Sequence, residues 1–174
     1  MPRLREEDIG GITENRVTDG RITLTADQRQ AFPDGKVHVI LWLMDKCVRL
    51  CTAEWIERLR EEILREWPER RLQDIVLRQT VGTERVVTID DAGRIRIPYM
   101  YLDFLNLNGS GKKAWLVPLR EGMYELWHPD DYKRHVEQDV YELANQLRAE
   151  AQLAGQVTAA SAAGVAGPAE GEDA

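Results

Sequence analysis

A short glycine-arginine motif occurs twice in this chain, and the repeat constrains the fold more than any other feature. The clearer copy is DDAGRIRIP at residues 90–98, and the weaker copy is VTDGRITLT at residues 17–25. Each copy has a turn sequence, then Gly-Arg-Ile, then an alternating strand pattern. Because the segments that follow each copy come in the same order, we predict two pseudo-symmetric halves.

The predicted elements of the first half are a strand, a short helix, a hairpin and a long helix. They lie at residues 21–24, 26–32, 37–51 and from Thr52 to just before Pro68, with Thr25 and Thr52 as helix caps. The second half repeats this order, with strands at 86–89 and 95–97, a helix at 99–105, a hairpin at 114–127 and a helix from Pro129. One more helix is predicted at 68–77, between the halves.

The composition sets the domain boundaries and the expected compartment. We predict a flexible N-terminus at 1–11, a first half at 12–80, a second half with a C-terminal helix at 81–153, and a disordered Ala/Gly-rich tail at 154–174. No apolar run is long enough to span a membrane and no signal peptide is visible, so we expect a cytoplasmic protein. The net charge of −7 argues against bulk affinity for nucleic acid but leaves room for a few well-placed arginines.

The order of these elements, with the pattern D-x-x-G-R-[ILV]-x-[IL]-P at 90–98, resembles the MraZ family of bacterial transcriptional regulators. The segment LWHPDDY at 126–132 is similar to that family's strand-to-helix junction, and the resemblance covers about residues 12–150. It implies an α+β fold of two tandem AbrB-like swapped-hairpin units with flanking helices. The first copy departs from the pattern, since Val17 stands at the family's aspartate position and Thr25 at its proline position, so the chain resembles a divergent member.

The same resemblance implies a function. The expected activity is sequence-specific binding to double-stranded promoter DNA with short repeats, by a homo-oligomer that closes into a ring. The chain would then be a nucleoid-associated autorepressor at the promoter of its own division and cell-wall cluster.

Four arginines are the candidate DNA contacts. Arg94 is the foremost, because the planar guanidinium fits phosphate oxygens and the O6/N7 edge of guanine. Arg96 lies two residues further along and shares its strand face. Arg21 is the counterpart of Arg94 in the first copy, and Arg16 lies nearby in the sequence.

Three residues are expected to shape the turns that present these arginines. Gly20 and Gly93 supply a positive φ angle, and Asp90 accepts backbone N–H groups and braces its turn. An alternative interpretation is that Asp90 and Arg94 form a surface ion pair that only fixes the hairpin.

Other classes of function find little support in the sequence. We expect no enzyme, metal, cofactor or small-molecule substrate, since no nucleophile–base arrangement or metal-ligand spacing stands out. Cys47 and Cys51 are interpreted as buried core thiols, and GSGKK at 109–113 as a flexible loop whose lysines can touch phosphate. The alternative function is an oligomeric protein-interaction scaffold that has lost DNA binding, which would suit the weak first motif, the acidic balance and the long final helix.

Overall fold

The computed structural model describes residues 11–120 and 122–163, with side chains placed as far as residue 152. Within that part the chain forms eight β-strands, five α-helices and a short 3-10 helix, so the predicted α+β class is confirmed. The expected flexible N-terminus up to residue 10, and the expected tail from residue 164, lie outside the described residues.

Apart from β1, which was not predicted, the strands and α-helices follow the predicted order in both halves. The first half contains β1 (Thr13–Val17), β2 (Arg21–Thr23), α1 (Ala26–Gln30), β3 (Lys36–Trp42), β4 (Cys47–Cys51) and α2 (Ala53–Glu66), followed by α3 (Arg70–Gln79). After the 3-10 helix (Val81–Thr83), the second half contains β5 (Arg85–Thr88), β6 (Arg94–Arg96), α4 (Tyr99–Phe104), β7 (Lys112–Arg120), β8 (Met123–Trp127) and α5 (Pro129–Ala163). The helix α5 thus continues to Ala163 rather than ending near residue 153.

Local sequence explains where the first-half helices begin. The Thr25 hydroxyl accepts the backbone N–H of Gln28 at 3.2 Å, and the Gln28 side chain accepts the N–H of Thr25 at 2.9 Å, which is a complete capping box. The Thr52 hydroxyl accepts the N–H of Trp55 at 3.3 Å at the start of α2. Both predicted caps are therefore confirmed.

Strands from the two halves interleave in a curled antiparallel sheet. The order of the six-stranded sheet is β1-β7-β8-β4-β3-β5, and β2 and β6 form a separate two-stranded ribbon. Among the described residues, the hairpins β3–β4 and β7–β8 are the only strand pairs within one half. The pairs β1–β7, β3–β5, β4–β8 and β2–β6 all join a first-half strand to a second-half strand. Each half therefore depends on the other for part of its interstrand backbone hydrogen bonds.

A buried ion pair lies where β4 meets β8. Arg49 donates from Nε and Nη2 to Oε1 of Glu125, at 3.1 and 3.0 Å, and both side chains are about nine-tenths buried. The indole N–H of Trp127 donates to the other Glu125 oxygen at 3.1 Å, and the Arg49 guanidinium lies 3.5 Å from the centroid of the Trp42 ring. The charge pair is thus satisfied inside a largely apolar core. The thiols of Cys47 and Cys51 are free and buried, as predicted.

The chain divides into two compact units, the first ending at Tyr132 and the second beginning at Lys133. Both predicted halves, as far as residue 132, belong to the first unit. In the second unit, α5 exposes an apolar row whose side chains are about half accessible: Val140 (51%), Leu143 (57%) and Leu147 (57%). No helix in the described part of the chain is both long enough and apolar enough to cross a bilayer.

Candidate nucleic-acid interface

The two arginine motifs meet in the β2–β6 ribbon. The register places Arg21 opposite Arg96, Ile22 opposite Ile95, and Thr23 opposite Arg94. Directly opposed residues of an antiparallel pair lie on the same face, and successive residues alternate between faces. Both isoleucines are fully buried on one face, so the three arginines share the other.

One backbone hydrogen bond closes each end of the ribbon, and the two bonds join equivalent positions of the two motif copies. The backbone N–H of Leu24 donates to the carbonyl of Gly93 at 2.9 Å, and the N–H of Ile97 donates to the carbonyl of Gly20 at 2.8 Å. Gly20 and Gly93 are equivalent positions of the two motif copies, as are Leu24 and Ile97. The ribbon backbone therefore has a near-twofold arrangement.

Asp90 organises the turn that precedes Arg94. Its Oδ1 accepts the N–H of Ala92 at 3.0 Å and the N–H of Arg94 at 2.8 Å. Its Oδ2 lies 2.9 Å from both Nε and Nη2 of Arg94. The Arg94 backbone N–H, followed by the Arg94 side chain, holds the pKa of Asp90 below its usual range. The bracing role and the surface ion pair considered from the sequence thus occur together.

The turn of the first copy is built differently. Val17 is buried where the second copy has Asp90's carboxylate, so no side-chain brace is available. Instead Thr18 and Arg21 exchange two backbone hydrogen bonds, of 3.0 and 2.9 Å. Asp19 and Gly20 have positive φ angles of 49° and 71°, and glycine adopts such angles without a steric penalty.

The three ribbon arginines differ in whether a nearby carboxylate neutralises the charge of the guanidinium group. Arg94 is paired with Asp90, although 46% of its side chain remains exposed. Arg96 donates from Nη1 to the backbone carbonyl of Asp19 at 3.1 Å, which neutralises no charge. Among the described residues, no carboxylate lies within 4.0 Å of the Arg21 guanidinium. The exposed face of the ribbon therefore carries two arginines, Arg21 and Arg96, without a carboxylate partner among the described residues.

One further arginine at the ribbon escaped the sequence analysis. A Cβ at Gly93, whose φ is +74°, would collide with Nη1 of Arg29, so the α1 side chain lies directly against this turn. At Gly20 the corresponding side chain is that of Leu102, 3.7 Å from the point where a Cβ would lie. Arg29 and Leu102 occupy equivalent positions after the two motifs. Aligning the two copies beyond the strand would have pointed to Arg29 as a residue near the second turn.

Arg16 lies outside the ribbon. It is on β1, directly opposite Lys113 of β7, and both side chains are exposed. Of the four predicted arginines, the structure thus brings three together on one face and places the fourth on the adjoining strand pair.

The site holds no arrangement of metal ligands. In the part of the chain that the structure describes, no three His, Cys, Asp or Glu side chains are grouped so that they could bind a metal ion. The arrangement suits anions instead, since guanidinium groups bind phosphate and carboxylate oxygens through paired hydrogen bonds. Comparison of the chain with protein-family models finds no match, and comparison with curated proteins finds none either.

Proposed function

We propose that this protein is a sequence-specific regulator of transcription that binds double-stranded DNA through the exposed face of the β2–β6 ribbon. The observation that carries the proposal is the direct opposition of Arg21 and Arg96, with Arg94 on the same face. Like charges directly opposite each other destabilise an antiparallel pair. A polyanion bound on this face would relieve that repulsion.

The shape of the ribbon favours duplex DNA over other anions. The major groove of B-DNA is wide enough to admit a two-stranded β-ribbon. Arginines on the outer face would contact base edges, guanine above all, and nearby phosphates. The buried isoleucines on the inner face anchor the ribbon to the core, so the arginines are presented from a supported element.

The strand pairing supports the resemblance to the MraZ family, and we propose a divergent member built from two swapped hairpins. In the part of the chain that the structure describes, four of the six strand pairs join the two halves, as expected when each half lends strands to the other. The corresponding biological role is autorepression in the cytoplasm, at a promoter of short repeats ahead of the protein's own division and cell-wall cluster.

The test is a fluorescence anisotropy titration with two duplexes, the DNA immediately upstream of the coding sequence and a duplex of mixed sequence. Arg21→Ala, Arg94→Ala and Arg96→Ala are each expected to weaken binding to the upstream DNA by about 1–3 kcal/mol, or roughly 5- to 150-fold. Arg65→Ala is the matched control, because Arg65 is an exposed arginine on α2. Unchanged affinity in all three ribbon variants would refute the proposal.

A second candidate function is an oligomeric protein-interaction scaffold without DNA binding. It is favoured by the exposed row on α5, where Val140, Leu143 and Leu147 are spaced by three and four residues as in a helix-packing seam. Light scattering combined with the DNA titration separates the two functions. An oligomer with no affinity for either duplex at low salt would support the scaffold, whereas an oligomer that binds the upstream DNA would support the regulator.

A further inference from the structure

We propose that Arg29, on α1, is a fourth DNA-contacting arginine and that it binds a backbone phosphate beside the second turn of the ribbon. This inference rests on the proposed DNA-binding function and adds to it a residue from outside the two motif copies. Since the phosphate backbone carries no sequence information, the contact would strengthen binding to all duplexes equally.

The Arg29 side chain lies against the turn that leads into Arg94. Its Cδ and Cζ are 3.2 and 3.1 Å from the point where a Cβ at Gly93 would lie, so the end of the side chain runs across the Cα of that glycine. Gly93 is buried, whereas the two residues before it, Asp91 and Ala92, are exposed. A side chain at position 93 would force the guanidinium to shift.

Two hydrogen bonds anchor α1 and the residues before it next to this turn. The Gln28 side chain donates from Nε2 to the Thr13 hydroxyl of β1 at 2.8 Å. The N–H of Leu24 donates to the carbonyl of Gly93, the same glycine that Arg29 contacts, at 2.9 Å. A guanidinium presented from an anchored element loses less conformational freedom on binding than one on a mobile segment.

The charge of Arg29 is available to an external anion. Its side chain is exposed, and within the described ranges no carboxylate lies within 4.0 Å of its guanidinium. Asp27 lies two residues earlier on the same helix and therefore does not face Arg29. Because the ribbon occupies the major groove in the proposed complex, a cation beside the ribbon meets the bordering phosphates rather than base edges.

The second turn has an excess of acidic groups that Arg29 balances. Residues 90–94, DDAGR, hold the carboxylates of Asp90 and Asp91 and the single guanidinium of Arg94. By itself this turn is net negative and would repel a phosphate. With the guanidinium of Arg29 against it, the turn has as many positive groups as negative ones.

The first turn is net positive without a cation from a helix. It holds one carboxylate, that of Asp19, beside Arg21, and Arg96 also reaches it by donating from Nη1 to the Asp19 carbonyl at 3.1 Å. Leu102 has the place there that Arg29 has at the second turn. The helix cation thus lies at the turn where carboxylates outnumber guanidinium groups, as a role in binding an anion requires.

The experiment compares Arg29→Gln with Arg65→Gln in anisotropy titrations at salt concentrations between about 50 and 200 mM. Arg65→Gln is the matched control, because it changes the net charge equally at an exposed position on α2. Arg29→Gln is expected to reduce the steepness of log Kobs against log salt concentration by about 0.9, the contribution of one phosphate, and Arg65→Gln to leave it unchanged. The affinity lost in Arg29→Gln should be the same factor for the upstream and the mixed-sequence duplex.

Arg29→Lys separates the charge of the residue from its packing on the turn. Lysine keeps the positive charge but lacks the planar group that lies across Gly93. The salt slope of Arg29→Lys is therefore expected to equal that of the wild type. A slope as shallow as that of Arg29→Gln would overturn the inference, because the role of Arg29 would then be structural.

The other outcomes separate this inference from the function on which it rests. Equal slopes in Arg29→Gln and Arg65→Gln, with weaker binding in the ribbon variants, would overturn the Arg29 contact and leave the DNA-binding proposal intact. A loss of affinity confined to the upstream duplex would also overturn the phosphate contact, since it would indicate a base contact instead. Absence of wild-type binding to either duplex at low salt would overturn both proposals.

Discussion

The carboxylate of Asp90 accepts hydrogen bonds from both the backbone and the side chain of Arg94. One carboxylate oxygen accepts the Arg94 backbone N–H at 2.8 Å, while the other lies 2.9 Å from the Arg94 Nε. The backbone contact shapes the turn, and the side-chain contact orients the guanidinium. If Arg94 binds DNA as proposed, the same carboxylate would orient the guanidinium for a phosphate or base and would also compete with it.

Asp90→Asn is expected to separate these two effects. The amide oxygen can still accept the N–H groups of Ala92 and Arg94, but the negative charge beside the guanidinium is lost. We expect affinity for mixed-sequence DNA to rise about two- to tenfold at low salt, and by less at higher salt because of screening. Asp90→Ala, which also removes the acceptor, should instead weaken binding. Anisotropy titrations measure both, and equal losses in the two variants would show that the charge is irrelevant.

The titration of Asp90 gives a second prediction. Since its pKa is lowered in the folded state, the turn is stabilised by ionised Asp90 above the unfolded-state pKa, and this contribution is lost as the pH falls through the folded pKa. In Arg94→Ala the carboxyl pKa should rise toward its ordinary value yet stay below it, because the backbone N–H donors remain. NMR detection of the Asp90 carboxyl carbon follows this directly. A wild-type midpoint at or above about 3.9 would contradict the lowered pKa.

The two motif glycines should differ in their tolerance of alanine. Both have positive φ angles, so Gly20→Ala and Gly93→Ala each carry a backbone penalty of about 1–2 kcal/mol. Only at Gly93 does the added methyl group collide, against the Arg29 guanidinium. Urea unfolding should therefore show the larger loss for Gly93→Ala, and adding Arg29→Ala should recover the difference. Equal losses in the two single variants would mean that Arg29 moves aside freely.

The buried Arg49–Glu125 pair should matter far more than an exposed pair. Glu125→Gln leaves the buried Arg49 cation with the partly exposed Asp45 carboxylate, 3.9 Å away, as its remaining counter-charge, and we expect a loss of about 3 kcal/mol in the free energy of unfolding. Glu54→Gln is the control, because Glu54 pairs with Arg58 on the exposed side of α2 and its loss should cost less than about 1 kcal/mol. Similar urea midpoints for the two variants would refute this ranking.

The apolar row on α5 predicts a change of oligomeric state. Leu143→Glu places a charge in the row of Val140, Leu143 and Leu147 and should lower the molar mass found by light scattering. Tyr141→Glu is the control, since Tyr141 is comparably exposed on the same helix but outside the row. A wild-type protein that is already monomeric would exclude this row as a self-association surface.

Features that depend on neighbouring residues could be predicted from the sequence. The caps Thr25 and Thr52 and both hairpins follow from local hydrogen bonding and alternation. Strand β1 was missed because its sequence, TENRV, is mostly polar and shows no apolar alternation. Its polar residues are accommodated because it lies at the edge of the sheet.

Features that depend on distant residues could not be predicted. The opposition of Arg21 and Arg96 requires the pairing register of β2 and β6, which the repeat suggests only as a symmetry and not as a contact. The proximity of Arg29 to Gly93 depends in the same way on how α1 lies across the second turn. Arg16 could be named from the sequence, but its partner Lys113 belongs to the other half.

The ribbon has a consequence for how such a protein can be divided or can evolve. Because one strand of the ribbon comes from each half, a fragment with a single motif contains only one of the two strands that form the arginine-bearing face. Two such fragments would have to associate to form the face of the ribbon. Two identical fragments would form a symmetric ribbon, with the same residues on both strands. Because the halves are fused in one chain, the two strands of the ribbon can differ in sequence. Thr23 and Arg96, for example, are equivalent positions of the two motif copies that hold different residues.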